Sequence, residues 1–169
     1  MGVLSCASAS RSRQALEADG ARKLVIGRLA ACAQPPDLGG SLKRVTGIGG
    51  IFFKAKDPKA LQAWYKRHLG IDVQEWGGAA FSWTDAEGKP VAGTTAWNIS
   101  SAQSDQFAPS TAPFMINYRV EDLHALVKVL REEGCNVLEK IDDSEYGKFG
   151  WVIDPEGNKL ELWQPPAGQ

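Results

Sequence analysis

The chain has 169 residues, of which 43% are hydrophobic and 23% charged, the composition of an ordinary globular protein. Its formal net charge of −1 gives no electrostatic reason to expect nucleic acid or an anionic membrane as partner. No apolar run approaches the length of a membrane span. The three cysteines, widely spaced and odd in number, suggest neither a disulfide framework nor a zinc site, and we expect a cytoplasmic protein.

Residues 1–43 differ in composition from the rest of the chain. They combine scattered serines and arginines with the breaker-rich stretch QPPDLGG, and no part of them alternates like a strand. A short, weakly amphipathic helix over residues 14–33 is the only regular structure that the pattern supports. We therefore expect an N-terminal extension that is mobile or partly helical.

The first unit with a clear pattern covers residues 44–98. Asp57 and Gly70 are residue types that begin and end helices, and an apolar stripe lies between them. The predicted elements are a strand at 48–55, a helix at 58–69 and strands at 71–76, 79–85 and 91–98. This unit is a βαβββ module.

A second unit at residues 113–166 repeats this plan after a Ser/Gln-rich linker at 99–112. Its predicted elements are a strand at 113–120, a helix at 123–133 and strands at 136–142, 147–153 and 159–164. Asp57 and Asp122, which begin the two helices, are 65 residues apart, and the D-x-E-G turns at Asp85 and Asp154 are 69 apart. Matching caps and turns, with offsets that differ by only four residues, predict an α+β fold of two tandem βαβββ modules.

The repeated module resembles the vicinal oxygen chelate superfamily, which includes glyoxalase I, extradiol dioxygenases and bleomycin-resistance proteins. The resemblance rests on KDPKALQAWYKRHLGIDV at the start of one copy and DPEGNKLELWQP at the end of the other, and it covers about residues 44–166. It implies that the two modules form a curled mixed sheet around a shared cleft. It also implies a homodimer.

The resemblance implies where a metal would bind. Members that use a metal take its ligands from four strand positions, which correspond here to Gly50, Thr95, Met115 and Glu161. Only Glu161 is a ligand type suited to a hard divalent ion, and both histidines of the chain fall on predicted helices. We therefore expect no metal and no other cofactor. The alternative is a divalent ion held by Glu161 together with substrate atoms and water.

Strand alternation assigns a set of side chains to the cleft, where they would bind a ligand. These predicted ligand-binding residues are Phe52, Lys54, Trp97, Met115, Asn117, Arg119 and Trp163. Trp97 is included because it aligns with Trp163 in the repeat. The tryptophans predict an aromatic wall for a flat or apolar ligand. Core packing or a dimer interface is the alternative role for them.

Glu161 lies between two leucines that point towards the helix, so its carboxylate should face the cleft. One interpretation is an ion pair with Lys54 or Arg119. A second is a functional carboxylate that binds a ligand or acts as a general base, because burial among aromatic residues would raise its pKa. A third is a remaining metal ligand, and an error in the position of the strand is a fourth.

The leading hypothesis for function is a bleomycin-resistance-type protein that binds a small aromatic or apolar molecule in a metal-free cleft. The alternative is a glyoxalase-like lyase, isomerase or dioxygenase in which Glu161 is the catalytic residue, as a metal ligand or general base. A purely structural protein would instead fill the cleft with its own side chains.

Overall fold

The structure is a computed structural model that describes residues 42–169. The predicted N-terminal extension lies outside the described residues, except for its last two. Within residues 42–169, no helix is long and apolar enough to cross a membrane.

Seven strands and two helices make up the described part of the chain. The strands are β1 (Val45–Ala55), β2 (Gly78–Thr84), β3 (Pro90–Ser101), β4 (Phe114–Val120), β5 (Asn136–Ser144), β6 (Gly147–Ile153) and β7 (Lys159–Gln164), and the helices are α1 (Pro58–Leu69) and α2 (Leu123–Glu132). The strands form one mixed sheet in the order β2-β3-β1-β4-β7-β6-β5. The first strands of the two modules, β1 and β4, pair antiparallel at its centre. Each is parallel to the last strand of its own module.

The two helices begin and end where their sequence signals predict. The side chain of Asp57 accepts a hydrogen bond from the N–H of Ala60 at 2.9 Å, and Asp122 accepts one from Ala125 at 3.0 Å. Each bond satisfies a backbone donor that the first helical turn leaves unpaired. Gly70 ends α1 in the left-handed conformation, with φ at 67°.

The two D-x-E-G turns have the same internal hydrogen bonds. Asp85 accepts from the backbone N–H groups two and four residues ahead of it, at 3.0 and 2.8 Å, and Asp154 does the same at 2.9 and 2.8 Å. A hydrogen bond from the side chain of Asn158, at 2.8 Å, lowers the pKa of Asp154 below its ordinary value, and these backbone bonds add to the effect. The repeat in the sequence is therefore also a repeat in the structure.

Two apolar clusters lie between the helices and one face of the sheet. The cluster under α2 contains Val120, Leu123, Leu126, Val127 and Leu162, and the cluster under α1 contains Ala79, Trp97 and Ile99. Because side chains alternate along a strand, the neighbours of these residues lie on the other face of the sheet. We call that other face the cleft face.

The predicted strand at 71–76 does not form. Ile71 and Val73 pack against the cluster under α1, as alternate residues of a strand would. However, the N–H of Gln74 already bonds to the carbonyl of Gly78 at 2.8 Å, and Gly77, with φ at 86°, turns the chain directly into β2. The segment is therefore partly buried by alternate side chains, but it does not pair as a strand. In the described residues, the first module contributes three strands and the second four.

Candidate functional site

A cavity of about 250 Å³ opens on the cleft face of the sheet. Aromatic side chains form much of its wall, namely Phe52, Tyr146, Phe149 and Trp163. Its main polar groups are Asn117 and Glu161. The cavity is therefore an apolar space with a carboxylate and an amide at its wall.

The register of the sheet brings the polar residues of the site together. Asn117 of β4 lies directly beside Glu161 of the parallel strand β7, and Glu161 lies beside Trp151 of the antiparallel strand β6. On the other side of Asn117, its partner across the central strand pair is Gly50 of β1. The site is therefore built on strands rather than on loops.

Both carboxylate oxygens of Glu161 accept hydrogen bonds from protein donors. Asn117 Nδ2 donates to Oε1 at 2.8 Å, and Trp151 Nε1 donates to Oε2 at 2.8 Å. Glu161 is 8% exposed and Asn117 is 3% exposed. An ionised carboxylate is an acceptor only, so two N–H donors fit this form and fix its orientation.

Burial raises the pKa of Glu161 above its ordinary value, because desolvation penalises the charged form. The hydrogen bonds from Asn117 and Trp151 oppose this effect, as does the positive charge of Lys159. Lys159 is directed elsewhere, since its Nζ donates to the carbonyl of Gln106 at 2.8 Å and lies 5.2 Å from the ring centre of Trp151. Burial lowers the pKa of Lys159 in turn.

The side-chain oxygen of Asn117 is buried and has no hydrogen-bond partner among the described residues. Because Nδ2 is bonded to Glu161, Oδ1 points the other way, towards Gly49, which also lines the cavity. Leaving a buried polar group unpaired costs about 1–3 kcal/mol. The site therefore has an unsatisfied acceptor next to its carboxylate.

Gly49 makes room for the cavity wall. The ring of Trp163 stacks on Phe149, with centroids 6.4 Å apart, and its Nε1 donates to the carbonyl of Tyr146 at 2.8 Å. A Cβ atom on Gly49 would lie 2.6 Å from Trp163 Cε3 and even closer to Asn117 Oδ1. Glycine in a strand often marks such a close approach, which accounts for one glycine of the TGIGG stretch.

Four of the sequence-predicted site residues line this cavity, namely Phe52, Asn117, Glu161 and Trp163. Lys54 lies elsewhere, with its Nζ 5.1 Å from the ring centre of Phe107. Met115 is fully buried and is not part of the cavity wall.

Arg119 lines a separate cavity of about 540 Å³. Its guanidinium group lies 5.2 Å from the ring centre of Trp83, and its Nη2 donates to the carbonyl of Gln169. Neither Arg119 nor Lys54 forms an ion pair with Glu161, whose partners are the two N–H donors described above. The ion-pair interpretation of Glu161 is therefore wrong.

Trp97, predicted to line the cleft, instead lies in the core under α1. It is 7% exposed, and its ring centroid lies 5.7 Å from that of Phe53 and 5.0 Å from that of Tyr65. Trp97 therefore has the alternative role that was considered for the tryptophans, namely core packing. The error came from aligning Trp97 with Trp163, which lie on opposite faces of the sheet.

The pairing register identifies the true counterpart of Glu161 in the first module. Phe52 pairs with Asn98 in the parallel pair of that module, as Asn117 pairs with Glu161 in the other. Asn98 and Glu161 are 63 residues apart, whereas the tryptophan alignment used an offset of 66. A shift by an odd number moves every side chain to the other face, so Asn98, and not Thr95, occupies the equivalent position.

The positions that the resemblance implies for a metal do not form a ligand set. Gly50 has no side chain, Met115 is fully buried, and the hydroxyl of Thr95 donates to the carbonyl of Ile48 at 2.7 Å. Asn98, the true counterpart of Glu161, does not line the cavity, and its Oδ1 accepts from the hydroxyl of Ser100 at 3.3 Å. Both oxygens of Glu161 already accept hydrogen bonds. Nowhere in residues 42–169 do three His, Cys, Asp or Glu side chains come close enough to hold an ion. These residues do not fit a divalent ion.

Sequence reasoning missed several residues of the site. In the β6–β7 hairpin, Phe149 pairs with Trp163 and Trp151 pairs with Glu161. The D-P-E-G turn predicts this hairpin, so its pairing register could have identified Phe149 and Trp151 as neighbours of the predicted site residues. Tyr146 lies in the turn between β5 and β6, where no pattern in the sequence indicates a position on the cavity wall.

We compared the chain with known protein families and solved structures. A family model described as "Glyoxalase-like domain" matches residues 50–163. A variant of Streptomyces coelicolor methylmalonyl-CoA epimerase in complex with 2-nitronate-propionyl-CoA has a TM-score of 0.54 and 18% identity, over 76% of this chain and 99% of its own. A methylmalonyl-CoA epimerase in complex with methylmalonyl-CoA and NH4+ has a TM-score of 0.53 and 19% identity, over the same shares. At these identities the likeness shows a shared fold. No curated protein matches the chain.

Proposed function

The chain belongs to the glyoxalase-like domain family, and we propose that it binds a small aromatic or apolar molecule around Glu161 without a metal ion. The observation that carries this proposal is the position of Glu161 and the hydrogen bonds that its carboxylate accepts. Its two oxygens are held by Asn117 and Trp151 within an aromatic-walled cavity, and its counterpart positions add no ligand. A carboxylate in this setting suits contact with an organic ligand better than coordination of an ion.

The size and walls of the cavity indicate the kind of ligand. Phe52, Phe149 and Trp163 supply flat apolar surface, and few polar groups are present to orient a bound molecule. At about 250 Å³ the cavity is slightly smaller than the range of ~300–1,000 Å³ that is usual for drug-sized ligands. We therefore expect a ligand of fragment size.

Ligand-observed NMR on the chelator-treated full chain tests this proposal, with indole and benzyl alcohol as probes. The matched control is Gly49→Ala, which places a methyl group against two groups of the cavity wall. Binding of at least one probe to the parent chain, lost in Gly49→Ala, is the expected result. No binding, or binding that Gly49→Ala leaves unchanged, contradicts the proposal.

A second candidate is an acid–base enzyme, such as a lyase or isomerase, in which Glu161 moves a proton. The raised pKa of Glu161 and its fixed orientation favour this function, because a general base works best when its pKa lies near the working pH. Deuterium incorporation from D2O into methylmalonyl-CoA, the compound bound in one structural neighbour, provides the test. Incorporation lost in Glu161→Gln supports this candidate as proton abstraction beside a thioester carbonyl, and its absence removes it.

The proposal includes two further expectations, a homodimer and a cytoplasmic location. Large apolar side chains are exposed on the two central strands, among them Ile48 at 44%, Ile51 at 43% and Phe114 at 40%. Burial of such residues would favour self-association. Sedimentation velocity over a range of concentrations tests the dimer, and a monomer at all concentrations would contradict it.

A further inference from the structure

We propose that the ligand of this cavity is an organic cation with N–H donors, that is, a protonated primary or secondary amine on an aromatic or apolar body. The inference rests on the proposed function, because it names the chemistry of the molecule that the same cavity binds. It is carried by the charge of the cavity, by its hydrogen-bonding groups and by its walls.

The cavity wall contains the carboxyl group of Glu161, and no cation in the described residues forms an ion pair with it. Among the described residues that line the cavity, Glu161 has the only carboxyl side chain, and no lysine, arginine or histidine joins it. The nearby cations have other contacts, since Lys159 donates to Gln106 and Arg119 donates to Gln169. A buried carboxylate is costly when unpaired. Both oxygens of Glu161 accept an N–H bond, but each has a second lone pair, and a cationic ligand would provide the partner of opposite charge.

The hydrogen-bonding groups around the carboxylate call for donors on the ligand. Trp151 Nε1 donates its only N–H to Glu161, and Asn117 Nδ2 directs one of its two N–H groups to the same carboxylate. Asn117 Oδ1 remains as a buried, unpaired acceptor on the cavity side towards Gly49. The hydroxyls of Thr94 and Tyr146, which also line the cavity, serve as donor or acceptor. An N–H group of the ligand would satisfy Asn117, whereas an anionic oxygen would face two acceptors.

The aromatic walls favour the same ligand chemistry. The face of an aromatic ring attracts a cation within about 6 Å of its centre, and the attraction grows when water is excluded. Four aromatic side chains line the cavity together with the carboxyl group of Glu161. The chain already uses this interaction beside the site, where Lys140 and Lys159 lie 5.5 and 5.2 Å from the ring centre of Trp151.

Isothermal titration calorimetry on the chelator-treated full chain, with benzylammonium, benzyl alcohol and benzoate, tests the inference. The three probes share a ring and differ in charge. We expect benzylammonium to bind at least about tenfold more tightly than benzyl alcohol, because only the cation gains a charge contact with Glu161 and a cation–π contact with the rings. Benzoate should bind most weakly.

Two glutamate variants identify the source of the preference. Glu161→Gln should remove the advantage of benzylammonium over benzyl alcohol. The control is Glu132→Gln, which removes the same charge from an exposed position on α2, on the opposite side of the sheet from the cavity, and should leave the preference unchanged. A cation preference that survives Glu161→Gln would overturn the inference.

The failure of the inference differs from the failure of the proposed function. If benzyl alcohol or benzoate binds as tightly as benzylammonium, with binding lost in Gly49→Ala, the cationic ligand is wrong and the proposed function stands. If no probe binds, the proposed function fails as well. If Mn²⁺ alone binds and Glu161→Gln abolishes its binding, the cation is a metal ion, and both are overturned.

Discussion

Gly49→Ala is the most specific perturbation of the site, because it adds one methyl group where two cavity residues approach β1. The added Cβ would lie 2.6 Å from Trp163 Cε3 and nearer still to Asn117 Oδ1. Neither group can move freely. Asn117 is bonded to Glu161, and the indole of Trp163 is bonded to the carbonyl of Tyr146.

The expected cost follows from overpacking. Gly49 does not have the positive φ that penalises alanine, so the backbone itself accommodates the substitution. Inserting a methyl group into a packed site costs about 1–3 kcal/mol. For a chain of this length, each kcal/mol lowers Tm by roughly 2–4 °C. Gly49→Ala should therefore remain folded but lose several degrees, together with probe binding.

Urea denaturation and calorimetric titration on the same samples separate these two effects. Gly88→Ala provides the control, because Gly88 has φ at 81° and open space around its Cβ position. The left-handed conformation costs alanine about 1–2 kcal/mol, a loss of similar size far from the cavity. Gly88→Ala should lose stability and keep binding.

The reasoning fails if Gly49→Ala has the stability of the parent chain and binds benzylammonium equally well. That result would mean that the side chains of Trp163 and Asn117 move away from the added methyl group without destabilising the fold. It would also fail if both variants lost binding in proportion to their stability.

Three further predictions follow from the same contacts. Because burial raises the pKa of Glu161, the folded state binds its proton more tightly than the unfolded state, and the resulting stability is lost as pH rises from about 4.5 through the folded-state pKa. The stability of Glu161→Gln relative to the parent chain should therefore increase over that range, and a constant difference in urea denaturation would contradict this. Trp151→Phe removes a hydrogen bond that lowers the pKa of Glu161, so NMR titration should show a further rise, and an unchanged or lower pKa would be against the account. Trp97→Ala should cost about 3–5 kcal/mol as a core truncation, and a loss below about 1 kcal/mol would mean that Trp97 is not in the core.

The sequence predicted well those features that depend on residues near one another in the chain. The caps at Asp57 and Asp122 and the turns at Asp85 and Asp154 use side-chain bonds to backbone groups within four residues. Alternation within β7 correctly directs Leu162 towards the core under α2 and Glu161 towards the cavity. These local rules were sufficient for the two helices and for the two D-x-E-G turns.

Features that depend on register between distant strands were predicted poorly. The partner of Glu161 is Asn117, 44 residues away, and alternation placed both on the cleft face without indicating the bond between them. Trp97 was placed on the wrong face because two parallel pairs were aligned by residue type and not by pairing. The unpaired segment at 71–76 shows the same limit, because burial and pairing are separate properties of an extended segment.

Titration of the full chain with divalent ions, beside its Glu161→Gln variant, tests most directly the proposal that the site works without a metal ion. The calorimetric series consists of Mg²⁺, Mn²⁺, Ni²⁺ and Zn²⁺ added to chelator-treated protein. Because Glu161 is occupied by Asn117 and Trp151 and lacks other ligands beside it, we expect no saturable binding that Glu161→Gln removes. One ion bound per chain, and lost in Glu161→Gln, would contradict the account.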